Sequence, residues 1–253
     1  MKRIIVPIDF TEISRTGLEH AIEIAHKNES VLILVHINSF QSEKEAAASF
    51  DKLISAYPDL QKIPHRTIIH EGDRIALLAN TVSSEKADFM IIATKGAASD
   101  FDEVSIAYQM IVRLKIPVLA IPYNVKYHEI NKILFTTDYS SIEDSSILNS
   151  LHQFARIYDA KVYVLYVGDN KKIQPEERDQ FESTLEYYLE TIEHYYNFSD
   201  EENIETGIKH FTKEHQIDVL AMVSRNNTNK NVPSLVRQIA LNTKIPLLTI
   251  PEL

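Results

Sequence analysis

The chain has 253 residues, 44% hydrophobic and 25% charged, with a formal charge of −10 and no cysteine. That composition is of an ordinary globular chain long enough for two cores. It excludes disulfide and thiolate chemistry, fits a reducing cytoplasm, and disfavours nucleic acid, whose phosphates an acidic surface repels.

Taken in order, the first half alternates strand and helix. Strand patterns at 3–8, 31–37, 66–71, 88–94 and 117–122 are rich in β-branched residues and apolar on both faces, as in buried parallel strands. Between them lie helical patterns at 12–27, 43–57, 74–86 and 103–114. Apolar runs such as Val31–Val35 are strand-length, far below the roughly 20 residues that cross a bilayer, so no membrane span is expected. The N-terminus runs directly into a strand, without the pattern of a signal peptide. Thr11 and Ser140 stand where helix N-caps belong.

The second half repeats the first. "RIIVPIDFTEIS" from Arg3 returns as "KILFTTDYSSIE" from Lys132, an offset of 129, and "KIPVLAIP" ending at Pro122 returns as "KIPLLTIP" ending at Pro251. "ADFMIIATKG" ending at Gly96 matches "IDVLAMVSRN" ending at Asn226. Strands are expected near 132–137, 161–167, 192–198, 218–224 and 246–251. The reading is two α/β domains, 1–123 and 131–253, joined by a linker at 124–130 short enough to pack them together. Each would be a five-stranded parallel sheet with helices on both faces.

Ligands in such sheets bind beyond the carboxyl ends of the strands, where strand order reverses. That singles out Asp9 and Asp138 after the first strand of each half, and Ile37 and Val167 at the end of the second. Two roles stay open for the aspartates: accepting hydrogen bonds from a sugar, or capping the next helix.

These motifs resemble the universal stress protein family in its tandem form: "VPIDFTEIS" its opening strand and turn, "LILVHI" its second strand, "ADFMIIATKG" its fourth, "KIPVLAIP" its last. The resemblance implies flavodoxin-like, Rossmann-like (HUP-type) domains, an adenine nucleotide site in some members, and pairing through the last strand. In a tandem chain the halves would form an intrachain pseudo-dimer, 117–122 facing 246–251, with a further homodimer left open. Nucleotide-binding members carry G-x-x-G, about nine residues, then G-[ST], whose glycines and N–H groups cradle phosphate. Here the first loop keeps only Gly96 and Ser105, with Ala93 and Val104 in place of glycines, and adds Asp100, Asp102 and Glu103. The second has Val223, Asn226 and Pro233 at the glycine positions, with Arg225, Lys230 and Ser234 able to face an anion.

The leading expectation is therefore a non-enzymatic stress-response protein with degenerate nucleotide loops, no cofactor and an unidentified protein partner. The alternative is an adenine nucleotide (ATP or AMP with magnesium) held in the first half by Asp9, Ile37, Gly96 and Ser105. A third reading puts another small ligand near Asp138 and Arg225.

Enzyme motifs are missing: no P-loop, no G-x-G-x-x-G, no G-x-S-x-G. "HEGD" at 70–73 reads as a strand end with Asp73 as cap in preference to a metal site, since consecutive residues point different ways. His36, aligned with Tyr166, reads as a packed histidine. Tyr187, Tyr188, Tyr195 and Tyr196 read as core and interface packing, with a partner patch as the lesser alternative.

Overall fold

In the computed structural model the described residues are 1–38, 42–95, 106–123, 125–139, 146–169, 173–224 and 235–252. The chain divides into two compact units, Met1–Tyr127 with Leu241–Lys244, and His128–Ala240 with Ile245–Leu253. Among the described residues no helix is long and apolar enough to cross a membrane.

The first unit contains strands β1 (Arg3–Pro7), β2 (Val31–Asn38), β3 (His65–Glu71), β4 (Phe89–Thr94) and β5 (Val118–Pro122). Its helices are α1 (Glu12–Asn28), α2 (Glu43–Ala56), α3 (Arg74–Ser84) and α4 (Ile106–Arg113). The strands run in the order β3-β2-β1-β4-β5, all neighbours parallel. The strand order turns back between β1 and β4, so a crevice opens beyond their carboxyl ends. Ile4, Ile5, Val6, Leu32, Ile33 and Phe89 are fully buried, as expected of strands covered on both faces.

Helix starts follow their caps. Thr11 accepts the N–H of Ser14, Asp73 accepts that of Ala76 at 2.7 Å, and Ser42 forms a capping box with Glu45. The Tyr57 hydroxyl donates to Glu19 at 3.0 Å and so ties α2 to α1.

The second unit repeats this plan with β6 (Lys132–Thr136), β7 (Lys161–Val167), β8 (His194–Ser199), β9 (Val219–Ser224) and β10 (Leu247–Pro251), in the order β8-β7-β6-β9-β10. Its helices are α5 (Ser146–Tyr158), α6 (Pro175–Leu189), α7 (Ile204–His215) and α8 (Leu235–Asn242). All neighbouring strands are again parallel. The cap expected at Ser140 lies outside the described residues.

The repetition reaches details that sequence alone does not display. Non-glycine residues with left-handed φ recur in pairs: Phe10 (63°) and Tyr139 (57°), Glu29 (50°) and Asp159 (52°), Lys86 (49°) and Gln216 (53°). Asp88 accepts from the N–H groups of Lys2 and Arg3, and Asp218 accepts from those of Asn131 and Lys132. Each carboxylate fastens the start of its unit's first strand to the strand three places on in sequence order, its neighbour in the sheet.

The tyrosine cluster departs from expectation. Tyr187 is 75% exposed and Tyr195 is 42% exposed, so neither is core. On α6 the buried stripe is Phe181, Leu185 and Leu189, spaced four apart, which turns Tyr187 to the opposite side. Tyr188 and Tyr196 are half-buried, the latter donating its hydroxyl to the Glu182 carbonyl at 3.3 Å.

Helix α7 lies hard against the end of β7 because Gly207 has no side chain: a Cβ there would meet Val167 Cγ1 at 2.6 Å and Cγ2 at 3.1 Å. Both methyls sit on the Val167 Cβ and cannot swing clear independently. We predict that Gly207→Ala costs about 1–3 kcal/mol in urea unfolding, overriding alanine's helix advantage of about 1 kcal/mol. Adding Val167→Ala should recover part of that loss, a coupling that a purely local helix effect would not give.

Candidate functional site

Beyond the carboxyl ends of β1, β2 and β4 the first unit holds a cleft of about 110 Å³. Its walls are mainly apolar, with Ile13, Ile37, Leu78, Ile92 and Ala93 among them, and two charged groups reach it, Asp9 and Arg74. Asp9 follows β1, Ile37 lies near the end of β2, and Arg74 is the first residue of α3. The fold thus brings Asp9 and Ile37 together, as their positions imply. Gly96, Ser105, Arg225 and Ser234 lie outside the described residues, as do both loops compared with the glycine pattern.

Asp9 is exposed, and its Oδ1 accepts the Thr11 N–H at 3.0 Å and the Thr11 hydroxyl at 2.5 Å. The surrounding protein still removes part of its hydration, which pushes its carboxyl up. Hydrogen bonds from the Thr11 and Ser14 hydroxyls and the Thr11 N–H, together with the Arg74 charge, outweigh that and hold it below its ordinary 3.8. The cap of α1 is Thr11, not Asp9; supporting that cap and contacting a ligand are compatible for Asp9, because an ionised carboxylate offers about four lone-pair sites.

With a folded value below the unfolded one, the Asp9 contribution is present above the unfolded value and is lost as pH falls through the folded one. Comparing melts at neutral pH and near pH 3, Asp9→Asn should narrow the drop in melting temperature; an unchanged drop would show that Asp9 plays no part in the acid limb.

Arg74 was not among the residues the sequence singled out. A cation at the first helical position opposes the helix dipole by about 0.3–1 kcal/mol, and that mismatch is the signal that could have found it. Just before it, Gly72 (φ 134°) and the Asp73 cap set the turn that delivers the guanidinium to the cleft. The remainder of the "HEGD" segment is accounted for by His70, whose Nε2 lies 3.1 Å from the Thr81 hydroxyl.

His36 is buried, and its Nδ1–H donates to the Ile8 carbonyl at 2.7 Å. Its ring packs against Phe10 (4.6 Å between centroids) and Phe50 (6.4 Å). The residue holds the Asp9 turn in place from behind. Tyr166 is likewise packed, against Tyr139 and Phe198.

The corresponding place in the second unit is differently furnished. Asp138 is exposed, and Val167 abuts Gly207 of α7. The counterpart of Arg74 is Ile204, which also follows its helix cap and is 45% exposed. Nearby, Tyr139 stacks on Phe198 at 5.9 Å and donates its hydroxyl to Glu182, which also pairs with Arg178 at 2.9 Å. The Arg178 guanidinium lies 4.6 Å over the Phe198 ring. Burial first, then the Glu182 charge, raises the Tyr139 phenol well above its ordinary value, so it stays neutral.

Comparison with known proteins fits this architecture. Residues 1–122 match the family model described as "Universal stress protein family". A universal stress protein from Archaeoglobus fulgidus DSM 4304 is 16% identical over 99% of this chain and 98% of its own, with a TM-score of 0.75. A protein of unknown function from Pseudomonas aeruginosa PAO1 is 13% identical over 100% of this chain and 93% of its own, with a TM-score of 0.70. At these identities the likeness is one of fold, and it runs through both units. No curated protein sequence matches the chain.

Proposed function

Because the chain belongs to the universal stress protein family through residues 1–122, we propose that it acts by binding a ligand and signalling, without turning over a substrate, and that an adenine nucleotide occupies the first unit's cleft. The observation that carries this is the meeting of Asp9 and Arg74 on an apolar cleft at the point where strand order reverses. Ile13, Ile37 and Leu78 would pack on the base, Asp9 would accept from a sugar hydroxyl or the exocyclic amine, and Arg74 would face phosphate. A guanidinium at this place offsets part of the repulsion that the carboxylates of the first loop would impose on a phosphate, the objection that most weakens this reading from sequence alone. The binding role is also supported by His36 and Asp9: the His36 Nδ1–H is committed to Ile8 and Asp9 is tied into a helix cap, roles of support and contact in place of proton transfer.

A second reading, in which both sites are degenerate and the protein serves a protein partner, draws support from Ile204 and Val167 in the second unit, where the cation is gone and α7 presses on β7. Calorimetry with ATP, with and without magnesium, separates the two. Saturable binding at one site per chain is expected; no heat and no thermal shift at millimolar ATP would leave the partner reading in possession.

A further inference from the structure

On the other side of the Asp9 turn, between α1 and α2, lies a groove of about 420 Å³, larger than the cleft itself. Phe10 and Tyr57 stand at its sides with Leu53 beneath, and Arg15, Ser49 and Lys52 bring polar groups to it. Leu53 is 5% exposed, whereas Arg15 and Lys52 are exposed.

The charge here runs against that of the molecule. In a chain of net charge −10, Arg15 and Lys52 are two cations on one groove, and no ion pair among the described residues involves either. Glu19, one turn along α1 from Arg15, accepts the Tyr57 hydroxyl at 3.0 Å. The Tyr57 phenol is pushed up to about 12, by burial first and then by Glu19, and so remains a neutral donor. The apolar wall is fixed in place: Phe10 sits at φ 63° with its ring 5.0 Å from Phe50 and 4.6 Å from His36.

We infer that this groove is a second ligand site, distinct from the cleft, for a small organic anion with a flat apolar body. The acid group lies between Arg15 and Lys52, and the body lies on Phe10, Leu53 and Tyr57. A groove of about 420 Å³ has room for a small molecule. Charge selects an anion, because two cations that form no ion pair among the described residues attract one without first breaking such a pair. The aromatic walls select a planar body over a bare inorganic ion.

The aromatic sulfonate 8-anilinonaphthalene-1-sulfonate is a suitable probe, being a planar anion whose fluorescence rises on leaving water. Titrated into the folded full-length chain, it should bind saturably at one site. Arg15→Ala and Lys52→Ala should each weaken that binding about tenfold, and the double variant should lose it. Lys213→Ala, which removes the same charge from an exposed position on α7, should leave it unchanged. Both groove cations are exposed, so thermal melts matching the parent's will show that the variants fold. Unaltered affinity in the double variant overturns the assignment, as does an absence of saturable binding. Loss of probe binding in Arg74→Glu, with Arg15 and Lys52 intact, overturns it too, by putting the probe in the Asp9 cleft. Because the readout does not use a nucleotide, the groove can fail while the cleft holds, or the reverse.

Discussion

Phe89→Ala should be among the most damaging single changes available in the first unit, costing about 3–5 kcal/mol in urea unfolding followed by circular dichroism. Phe89 begins β4, pairs with Ile4 across the centre of the sheet and has no exposed surface. Truncation removes the transfer free energy of a ring and leaves a cavity on one face of a sheet whose hydrogen-bonded strands cannot shift to fill it. Val112→Ala provides the contrast: at 46% exposed on α4 it should shift stability by no more than about 0.5 kcal/mol. A loss below about 1 kcal/mol for Phe89→Ala would contradict the central place given to β4.

Arg74→Glu is the corresponding change for binding. It replaces an attraction to phosphate with a repulsion, and it sets a second carboxylate beside Asp9. Unit charges about 4 Å apart interact by about 4 kcal/mol at an effective dielectric near 20 and by about 1 kcal/mol in water. Arg74 is exposed, so a loss of about thirtyfold in ATP affinity, roughly 2 kcal/mol, is the expected calorimetric result. Salt should narrow the gap between parent and variant as it screens both charges. Stability should hardly move, because the change also favours the helix dipole that Arg74 opposes. An ATP affinity equal to the parent's would remove Arg74 from the site and with it the main argument for the cleft.

Much of this was readable in the chain. Continuous apolar strands and a step of about 130 residues give two doubly wound units because a parallel strand covered on both faces has few polar positions to spare. Thr11 and Asp73 were legible as caps from residue type and place alone. Asp9 and Ile37 could be chosen since every strand's carboxyl end faces the same edge of the sheet. Arg74 could not be chosen that way: it stands after β3, two strands from β1, and reaches Asp9 only through the crossover of α3. Bulk alone assigns Tyr187 to the core, whereas its phase against Phe181, Leu185 and Leu189 places it outward. The groove between α1 and α2 depends on which cations lack partners, a property of assembled helices that no local pattern carries.

The paired left-handed residues bear on ancestry. A non-glycine residue held there gives up on the order of 1 kcal/mol or more, and three independent inventions at matching places in both halves are far less economical than one inheritance. What the duplication passed on intact is backbone geometry: Phe10 and Tyr139 keep an aromatic ring, while Lys86 and Gln216 share only φ. Drift has therefore been free to rewrite side chains such as Arg74 and Ile204 between turns that stayed put, so the two halves differ at the carboxyl ends of their strands while sharing one backbone plan.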